Sequence, residues 1–298
     1  MKKVGGAGAV GAGGGILCFV LGLALVLPAE GRAACDCSVN GGYAWLANTK
    51  IRFNNDSHIV GNVGANLPGG MVRFGRNSCQ GTSEANPCIG NSVAVSADRI
   101  VIGEFSSIAG TESNVLRLGV GAIVRNPPLL TVSLPLVSND PAQVCGAFAD
   151  VDCTGGSGLS IAEGANTAIA PGVYGALVVG NGAVLTMGPG SYTFCSVKIG
   201  SNVTAAVDEA AVVNVVGKFS MGSGAILASS GSPFVLNVEG SLVRLSQAAV
   251  LEAEVRVPNG KIKMQRASTI RGCSCSNSLV SDKGHSNVCA SPSGAFVD

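Results

Sequence analysis

The chain has 298 residues, of which 47% are hydrophobic and 12% are charged. It can therefore bury a sizeable core, and it is not a disordered polyelectrolyte. Its 43 glycines follow no Gly-X-Y period, which excludes collagen. The formal net charge of +1 gives no electrostatic argument for nucleic acid or an anionic membrane as a partner.

Residues 1–33 have the pattern of a signal peptide. Lys2 and Lys3 form a basic start, the apolar run 16–27 follows, and small residues favour cleavage after Ala33. A retained membrane anchor is the alternative, but the strongly apolar run is shorter than the ~20 residues of a spanning helix. We expect a nearly neutral mature protein that is not integral to the membrane. It would be secreted or lie at the cell surface, with the periplasm as a further location.

Ten cysteines remain after residue 33, and an even number in an exported chain predicts disulfides. Short separations favour the pairs Cys79–Cys88 and Cys145–Cys153. Cys289 is expected to pair with Cys273 or Cys275, and the sequence leaves the full connectivity open. The ten disulfide candidates are Cys35, Cys37, Cys79, Cys88, Cys145, Cys153, Cys195, Cys273, Cys275 and Cys289.

The nearest approach to a zinc site combines His285 and Cys289 with the Cys-x-Cys pairs at 35–37 and 273–275. This spacing is not the usual Cys-x2-Cys, and an oxidising compartment favours disulfides over thiolate ligands. We therefore predict no metal and no other cofactor.

Residues 34–125 are predicted to form an N-terminal cap followed by irregular β-helix coils. Short runs such as 51–53, 99–103 and 115–118 are rich in β-branched residues and bounded by Gly, Asn and Ser, which is typical of strands. We expect Trp45 to cover an open end of the solenoid, because an uncovered end exposes apolar side chains and strand edges.

Residues 126–160 interrupt the strand pattern. Prolines at 127, 128 and 135 limit ladder pairing, because proline has no N–H to donate. The segment contains Cys145 and Cys153 and ends in a glycine-rich run. It is either a long excursion from the coil or a boundary between two halves of the solenoid.

Residues 161–272 carry the most regular repeat. Small turn clusters recur, and their third positions are separated by steps of 20, 22, 24 and 19 residues. Only strand-like runs lie between the turns, which predicts a regular solenoid of strands. The third positions of the turn clusters are Gly182, Asn202, Gly224, Ala248 and Ala267.

Residues 273–298 are predicted to form a cysteine-rich C-terminal cap and tail.

Three motifs in this region carry a family resemblance: Pro171-Gly172-Val173-Tyr174, Gly188-Pro189-Gly190-Ser191-Tyr192 and Leu245-Ser246-Gln247-Ala248. With the repeat length, they resemble the right-handed parallel β-helix proteins of the pectate-lyase-like superfamily. More narrowly, they are similar to exported bacterial β-helix repeat proteins that have no assigned activity. The resemblance implies an all-β, right-handed parallel β-helix and an extracellular location, and the cysteine count adds disulfide stabilisation to this expectation. It implies no catalytic residues.

The late strands hold the only constellation that suggests an enzyme. Glu252, Glu254, Lys261 and Lys263 are the weak catalytic candidates for a polysaccharide lyase or glycoside hydrolase, which needs carboxylates and cations near the sugar. The alternative interpretation is a solvated face whose opposite charges pair. We favour a structural or adhesive role without catalysis, with glycan, cell-surface or matrix components as partners and no nucleic acid.

Overall fold

The structure is a computed structural model that describes residues 43–81, 88, 93–126, 128–129, 131–136, 145, 151–282 and 286–288. In these residues all regular secondary structure is β, and the strands form a parallel β-solenoid of about 11 coils. None of them belongs to a helix that is long and apolar enough to cross a membrane. The predicted all-β solenoid is confirmed, whereas the predicted signal peptide lies outside the described residues.

The strands fall into two blocks along the chain. The N-terminal block contains β1 (Tyr43–Phe53), β2 (His58–Val60), β3 (Asn62–Ala65), β4 (Met71–Phe74), β5 (Cys79–Gly81), β6 (Val95–Ser96), β7 (Arg99–Ile102), β8 (Ser107–Ile108), β9 (Thr111–Glu112), β10 (Val115–Leu118) and β11 (Ile123–Val124).

The C-terminal block contains the longer and more regular strands. They are β12 (Leu159–Ile161), β13 (Asn166–Ile169), β14 (Gly172–Val179), β15 (Val184–Met187), β16 (Gly190–Ile199), β17 (Thr204–Val207), β18 (Ala211–Val215), β19 (Phe219–Met221), β20 (Ile226–Ser229), β21 (Phe234–Val238), β22 (Leu242–Leu245), β23 (Val250–Met264), β24 (Thr269–Arg271), β25 (Ser274–Ser281) and β26 (Ser286–Val288).

Each coil contributes to three sheet faces, which the chain visits in a fixed order. In the coil that begins with β16, residues 190–194 lie on the first face, residues 196–199 on the second face and β17 on the third. A tight turn joins the second face to the third. Successive coils pair in parallel and in register along their strands, so most strand residues have a counterpart at the same position of the next coil.

The order of the coils in the stack differs from their order in the chain. The N-terminal block proceeds from β1 through β4 and β7 to β10. The C-terminal block proceeds from β12 through successive coils to β25. Strand β25 then pairs in parallel with β1, so the last coil stacks on the first one. The two blocks therefore form one continuous stack whose ends are the coils of β10–β11 and β12–β13.

Trp45 lies at the junction between the two blocks. Its side chain is 1% exposed, with β25 on one side and β3 on the other, and its ring centroid lies 5.7 Å from that of Phe53. The prediction that Trp45 covers an open end is therefore wrong. The segment expected to cap the C-terminal end likewise contributes β25 to the interior of the stack.

The chain has to travel back along the whole stack between β11 and β12. We call residues 130–158 the return segment. Its described residues touch successive coils in reverse order: Leu136 packs beside Gly64 of β3, and the Val151 N–H donates a hydrogen bond to Glu239 beyond β21 at 2.9 Å. The segment is thus a long excursion that connects the two ends of the solenoid.

Disulfides fasten the return segment to the solenoid. The predicted pair Cys79–Cys88 is confirmed, but the predicted pair Cys145–Cys153 is wrong, because the two cysteines meet different coils as the segment passes along the stack. Cys273 is also disulfide-bonded, and Cys35, Cys37 and Cys289 lie outside the described residues. The described pairs are Cys79–Cys88, Cys145–Cys275 and Cys153–Cys195, with Cα–Cα distances of 5.0, 5.3 and 5.2 Å.

The core is a set of apolar columns inside the coil. On the second face, one inward column contains Phe53, Phe74 and Ile102, and each is at most 2% exposed. The inward alternation predicted for residues 251–257 is confirmed, since Leu251, Ala253, Val255 and Val257 are all fully buried. Burial of these columns supplies the hydrophobic stabilisation, and the in-register ladders satisfy the backbone.

The turn between the second and third faces repeats one backbone conformation. All five residues that marked the sequence repeat, from Gly182 to Ala267, have positive φ between 55° and 67°. This left-handed conformation causes steric strain in residues other than glycine, asparagine and aspartate. The same conformation recurs in the N-terminal block at Asp56, Asn77, Phe105 and Gly121.

This conformation predicts different effects for two alanine substitutions at sites with free space. A Cβ added at Gly182 or at Gly188 would meet nothing within 4 Å, but only Gly182 has positive φ, at 65°. Gly182→Ala should lower the free energy of unfolding by about 1 kcal/mol because of backbone strain. Gly188→Ala should leave it equal or slightly higher. Denaturant unfolding measures both, and equal losses would contradict the role of the turn.

The disulfide that holds the return segment should matter more than the local one. The pair Cys145–Cys275 spans 130 residues and Cys79–Cys88 spans 9. Replacing both cysteines of the long-range pair with alanine should lower the free energy of unfolding by roughly 5 kcal/mol, and replacing the local pair by roughly 2.6 kcal/mol, because loop entropy grows with length. Chemical denaturation of the two double variants checks this order, and the reverse order would refute it.

Candidate functional site: a basic face of the solenoid

One outward column of the second face runs in register through the whole stack. It contains six cations and no carboxylate. Its members, from one end to the other, are Ser160, Val178, Lys198, Ser220, Arg244, Lys263, Val280, Arg52, Arg73, Val101 and Arg117.

A parallel column lies two residues earlier in each strand. It adds Lys50, Arg99, Lys218 and Lys261, again with no carboxylate among the residues that pair there. We call the ten cations of these two columns the basic face. They are ten of the sixteen lysines and arginines that follow residue 33.

The basic face is open to solvent. All ten side chains belong to exposed residues, and none takes part in an ion pair among the described residues. Successive strands of a sheet lie about 4.8 Å apart, so neighbouring cations of a column are held close on a rigid support. Within the two columns no carboxylate separates the cations, which favours binding of a polyanion.

Alternation within each strand produces this arrangement. In β23, Ile262 and Met264 point into the core and are at most 1% exposed, so Lys261 and Lys263 must point outward. The same alternation places Lys50 and Arg52 on the outside of β1, because Ile51 and Phe53 are buried. Apolar packing inside the coil thus fixes the direction of the charges outside it.

One carboxylate lies at the margin of the basic face. Asp98 precedes Arg99 and accepts hydrogen bonds from the Asn114 side chain at 2.8 Å and from the Gly69 N–H at 2.9 Å. These bonds, the one from Asn114 first, lower the pKa of the Asp98 carboxyl from its usual value. Asp98 therefore stays ionised and is engaged with the neighbouring loop.

The basic face ends beside a groove of about 430 Å³ at the β10 end of the stack. Arg73, Arg76 and Arg117 line it, and Arg76 forms an ion pair of 3.0 Å with Glu104. Stacked turn glycines form its floor. A Cβ added at Gly103 would come within 2.4 Å of the backbone of the coil below. The groove exists because there is no room for side chains on this floor. Its lining therefore combines arginine guanidinium groups with exposed backbone.

The four catalytic candidates lie on three different faces. Strand β23 wraps around two corners of the coil, so Glu252 lies on the third face, Glu254 on the first, and Lys261 and Lys263 on the second. The structure brings the two lysines together on the basic face. It does not bring the two glutamates to them.

Both glutamates are held by arginines. Glu252, expected to face solvent, has a side chain that is only 6% exposed; its Oε1 accepts a hydrogen bond from Arg271 Nη1 at 2.9 Å. Glu254 and Arg256 form an ion pair of 2.8 Å, with side chains 17% and 15% exposed. The predicted pairing of opposite charges is therefore found for these two pairs, but the prediction that they lie on a solvated face is wrong, because the side chains of Glu252, Glu254 and Arg256 are mostly buried.

A structural role for Glu252 predicts a loss of stability on neutralisation. Glu252→Gln should lower the free energy of unfolding by about 2 kcal/mol, because it weakens an ion pair that is mostly buried on the glutamate side. Glu163→Gln, which changes an exposed turn residue in the same way, should change stability by less than about 0.5 kcal/mol. Thermal or denaturant unfolding of the two variants checks this, and equal stabilities would contradict it.

The described residues include no group of three His, Cys, Asp or Glu side chains that could hold a metal ion. Of the cysteines considered as zinc ligands, Cys273 and Cys275 are disulfide-bonded. Cys35, Cys37, His285 and Cys289 lie outside the part of the chain that the structure describes.

Comparison of the chain with protein-family models, with curated proteins and with solved structures finds no match to any of them. The parallel β-solenoid is therefore established by the strand pairing itself. The narrower resemblance to pectate-lyase-like proteins is not supported by these comparisons.

Sequence reasoning found only part of the basic face. It named Lys261 and Lys263 among the catalytic candidates, but it missed Arg52, Arg73 and Arg117 as members of the same surface. Part of the signal was present as the Lys-x-Arg alternation at 50–52 and the Lys-x-Lys alternation at 261–263, far apart in the chain. What was missing was the stacking of the first coil on the last one.

Proposed function

We propose that the protein is an exported, non-catalytic adhesive scaffold that binds an acidic polysaccharide along its basic face. The observation that carries the proposal is the alignment of ten exposed cations, without a carboxylate partner in either column, on one rigid sheet. A chain of carboxylated or sulfated sugars can lie along the stack and meet a cation at most strands. The spacing of strands is comparable with the length of one sugar unit in an extended chain.

An acidic glycan fits this surface better than a nucleic acid does. The disulfides are typical of proteins in oxidising compartments, where acidic polysaccharides of surfaces and matrices are common polyanions. The residues of the two columns include no aromatic side chain. Single-stranded nucleic acids are usually held by aromatic stacking as well as by charge, and neutral sugars are also recognised on aromatic faces.

The positions of the carboxylates argue against hydrolysis of a bound glycan. Glycoside hydrolases use a pair of carboxyl groups beside the scissile bond, whereas a lyase can use a lysine as its base. Glu252 and Glu254 are instead engaged by arginines on other faces of the coil. A polymer bound along the basic face would meet Lys261 and Lys263 as counter-charges.

The proposal predicts binding of purified, disulfide-intact protein to polygalacturonate and not to neutral dextran. The affinity should fall steeply as salt is raised from low to physiological ionic strength, because exposed charges are screened. Isothermal titration or a gel-shift assay with labelled polymer measures it. Equal binding to dextran, or no dependence on salt, would contradict recognition by charge.

Matched variants separate the basic face from overall charge. Lys263→Gln should weaken binding roughly two- to fivefold, the effect of one exposed ion pair. Arg266→Gln, an exposed residue in the next turn and outside the two columns, should have little effect. The triple variant Arg52→Gln, Arg73→Gln, Lys263→Gln should weaken binding about tenfold, because it removes three cations of the basic face.

Two further results would overturn the proposal. Shortening of polygalacturonate by the protein, lost in Lys263→Gln, would show catalysis and favour a polysaccharide lyase. Tighter binding to double- or single-stranded DNA than to polygalacturonate at equal salt would replace the glycan with a nucleic acid as the ligand.

A further inference from the structure

Both ends of the stack carry unpaired strand edges. At one end, which we call the β10 end, β10 and β11 pair among the described residues only with β7 and β8. At the other, the β12 end, β12 and β13 pair only with β14 and β15. Among the described residues, the outer sides of β10 and β12 have no strand partner, although Leu129 bridges Glu112 of β9 at the β10 end. Such an edge readily accepts another strand.

The apolar core is exposed at the β10 end and less so at the β12 end. Leu118 occupies the inward column of Phe74 and Ile102 but is 53% exposed, and Leu129, which bridges Glu112 at the same end, is 57% exposed. At the β12 end Leu159 is partly buried and Ile161 is 4% exposed. The partly buried apolar residues that pack on the core lie in or next to the end coils: Leu116, Ala122 and Val124 at the β10 end, and Leu159, Ala165 and Tyr174 at the β12 end. Exposed apolar surface of this kind commonly marks an interface.

The two ends match in register. Following the ladder through the stack, Leu116 and Leu159 occupy one inward column of the second face, and Leu118 and Ile161 occupy the next. A second copy displaced along the stack axis by one solenoid length would place Leu159 on Leu116 and Ile161 on Leu118. Its β12 would then continue the parallel ladder beyond β10.

The chain already contains a junction of this type. Strands β25 and β1 are separated by most of the sequence, yet they pair in parallel and in register. Leu279 and Ile51 meet there and are at most 1% exposed. A coil of the C-terminal block therefore packs well on a coil of the N-terminal block without a direct peptide connection. The proposed contact would also join an N-terminal-block coil to a C-terminal-block coil. There the N-terminal-block coil of β10 would be followed by the C-terminal-block coil of β12 from the next copy.

We propose that copies of this protein associate head to tail, with the β12 end of one copy stacked on the β10 end of the next. Because the two contacting surfaces differ and the displacement runs along the axis, the assembly does not close and can grow into a linear fibre. The basic face would continue from one copy to the next. The association rests on the ends alone and does not require the proposed polysaccharide binding.

Three lysine substitutions test this association. Leu118→Lys blocks the β10 end and Leu159→Lys blocks the β12 end, because each would bury a charge in the interface. Ile226→Lys is the matched control, since Ile226 is 39% exposed on the lateral third face. Sedimentation velocity over a range of concentrations should show oligomers for the wild type and the control. Each end variant should associate at least about tenfold more weakly.

Mixing the two end variants distinguishes head-to-tail from symmetric contacts. Each keeps one intact end, so the mixture should form a one-to-one dimer and nothing larger, while each variant alone stays monomeric. A wild type that is monomeric at its highest soluble concentration would overturn the proposal. So would self-association of Leu159→Lys alone, which would show that two β10 ends meet. Thr167→Lys replaces Leu159→Lys if circular dichroism shows that the latter is unfolded.

Discussion

The parallel ladder of in-register coils is the constraint on which the rest of the structure depends. Each coil must place its turn at the same point, or its residues lose their counterparts in the next coil. The left-handed turn residue provides this fixed point. Most of these positions are filled by glycine, asparagine or aspartate, which tolerate positive φ, whereas Phe105, Ala248 and Ala267 adopt it despite the strain. That three less suitable residues keep the conformation shows that ladder pairing outweighs the local cost of roughly 1 kcal/mol or more at each turn.

Register also explains how a stack can be continuous when the chain is not. The junction between β25 and β1 has the same parallel pairing as the coils on either side of it. Ladder pairing needs only the correct spacing and the correct side-chain volumes, so it is indifferent to whether a short loop connects two coils. This arrangement requires a long connection between β11 and β12, and ordering that connection costs conformational entropy. The disulfides Cys145–Cys275 and Cys153–Cys195 offset part of that cost by fixing the return segment along its path.

The sequence predicted what is local and missed what depends on the order of the stack. Turn spacing and alternation were enough to predict a solenoid, and the repeated residues from Gly182 to Ala267 do share one backbone conformation. Trp45 was misplaced because nothing local shows that the first coil lies in the middle of the stack. Cys145 and Cys153 were misassigned for the same reason, since their partners depend on the path of the return segment. The burial of Glu252 was missed because β23 turns two corners within one unbroken strand.

The basic face shows why an overall charge near zero says little about a protein with this architecture. In a solenoid, residues at equivalent positions of successive coils form a column. One column can therefore contain cations as its only charged residues while the net charge of the whole chain stays near zero. Here the acidic residues lie mainly in turns or in ion pairs on other faces, as with Glu104 and Glu252. The cations of the second face come from both blocks, so neither block alone carries the whole row. Only the stacking of β1 on β25 brings Arg52 and Arg73 into line with Lys263 and Arg244. The permuted order of the coils is therefore the feature that joins two short basic patches into one surface along the axis of the solenoid.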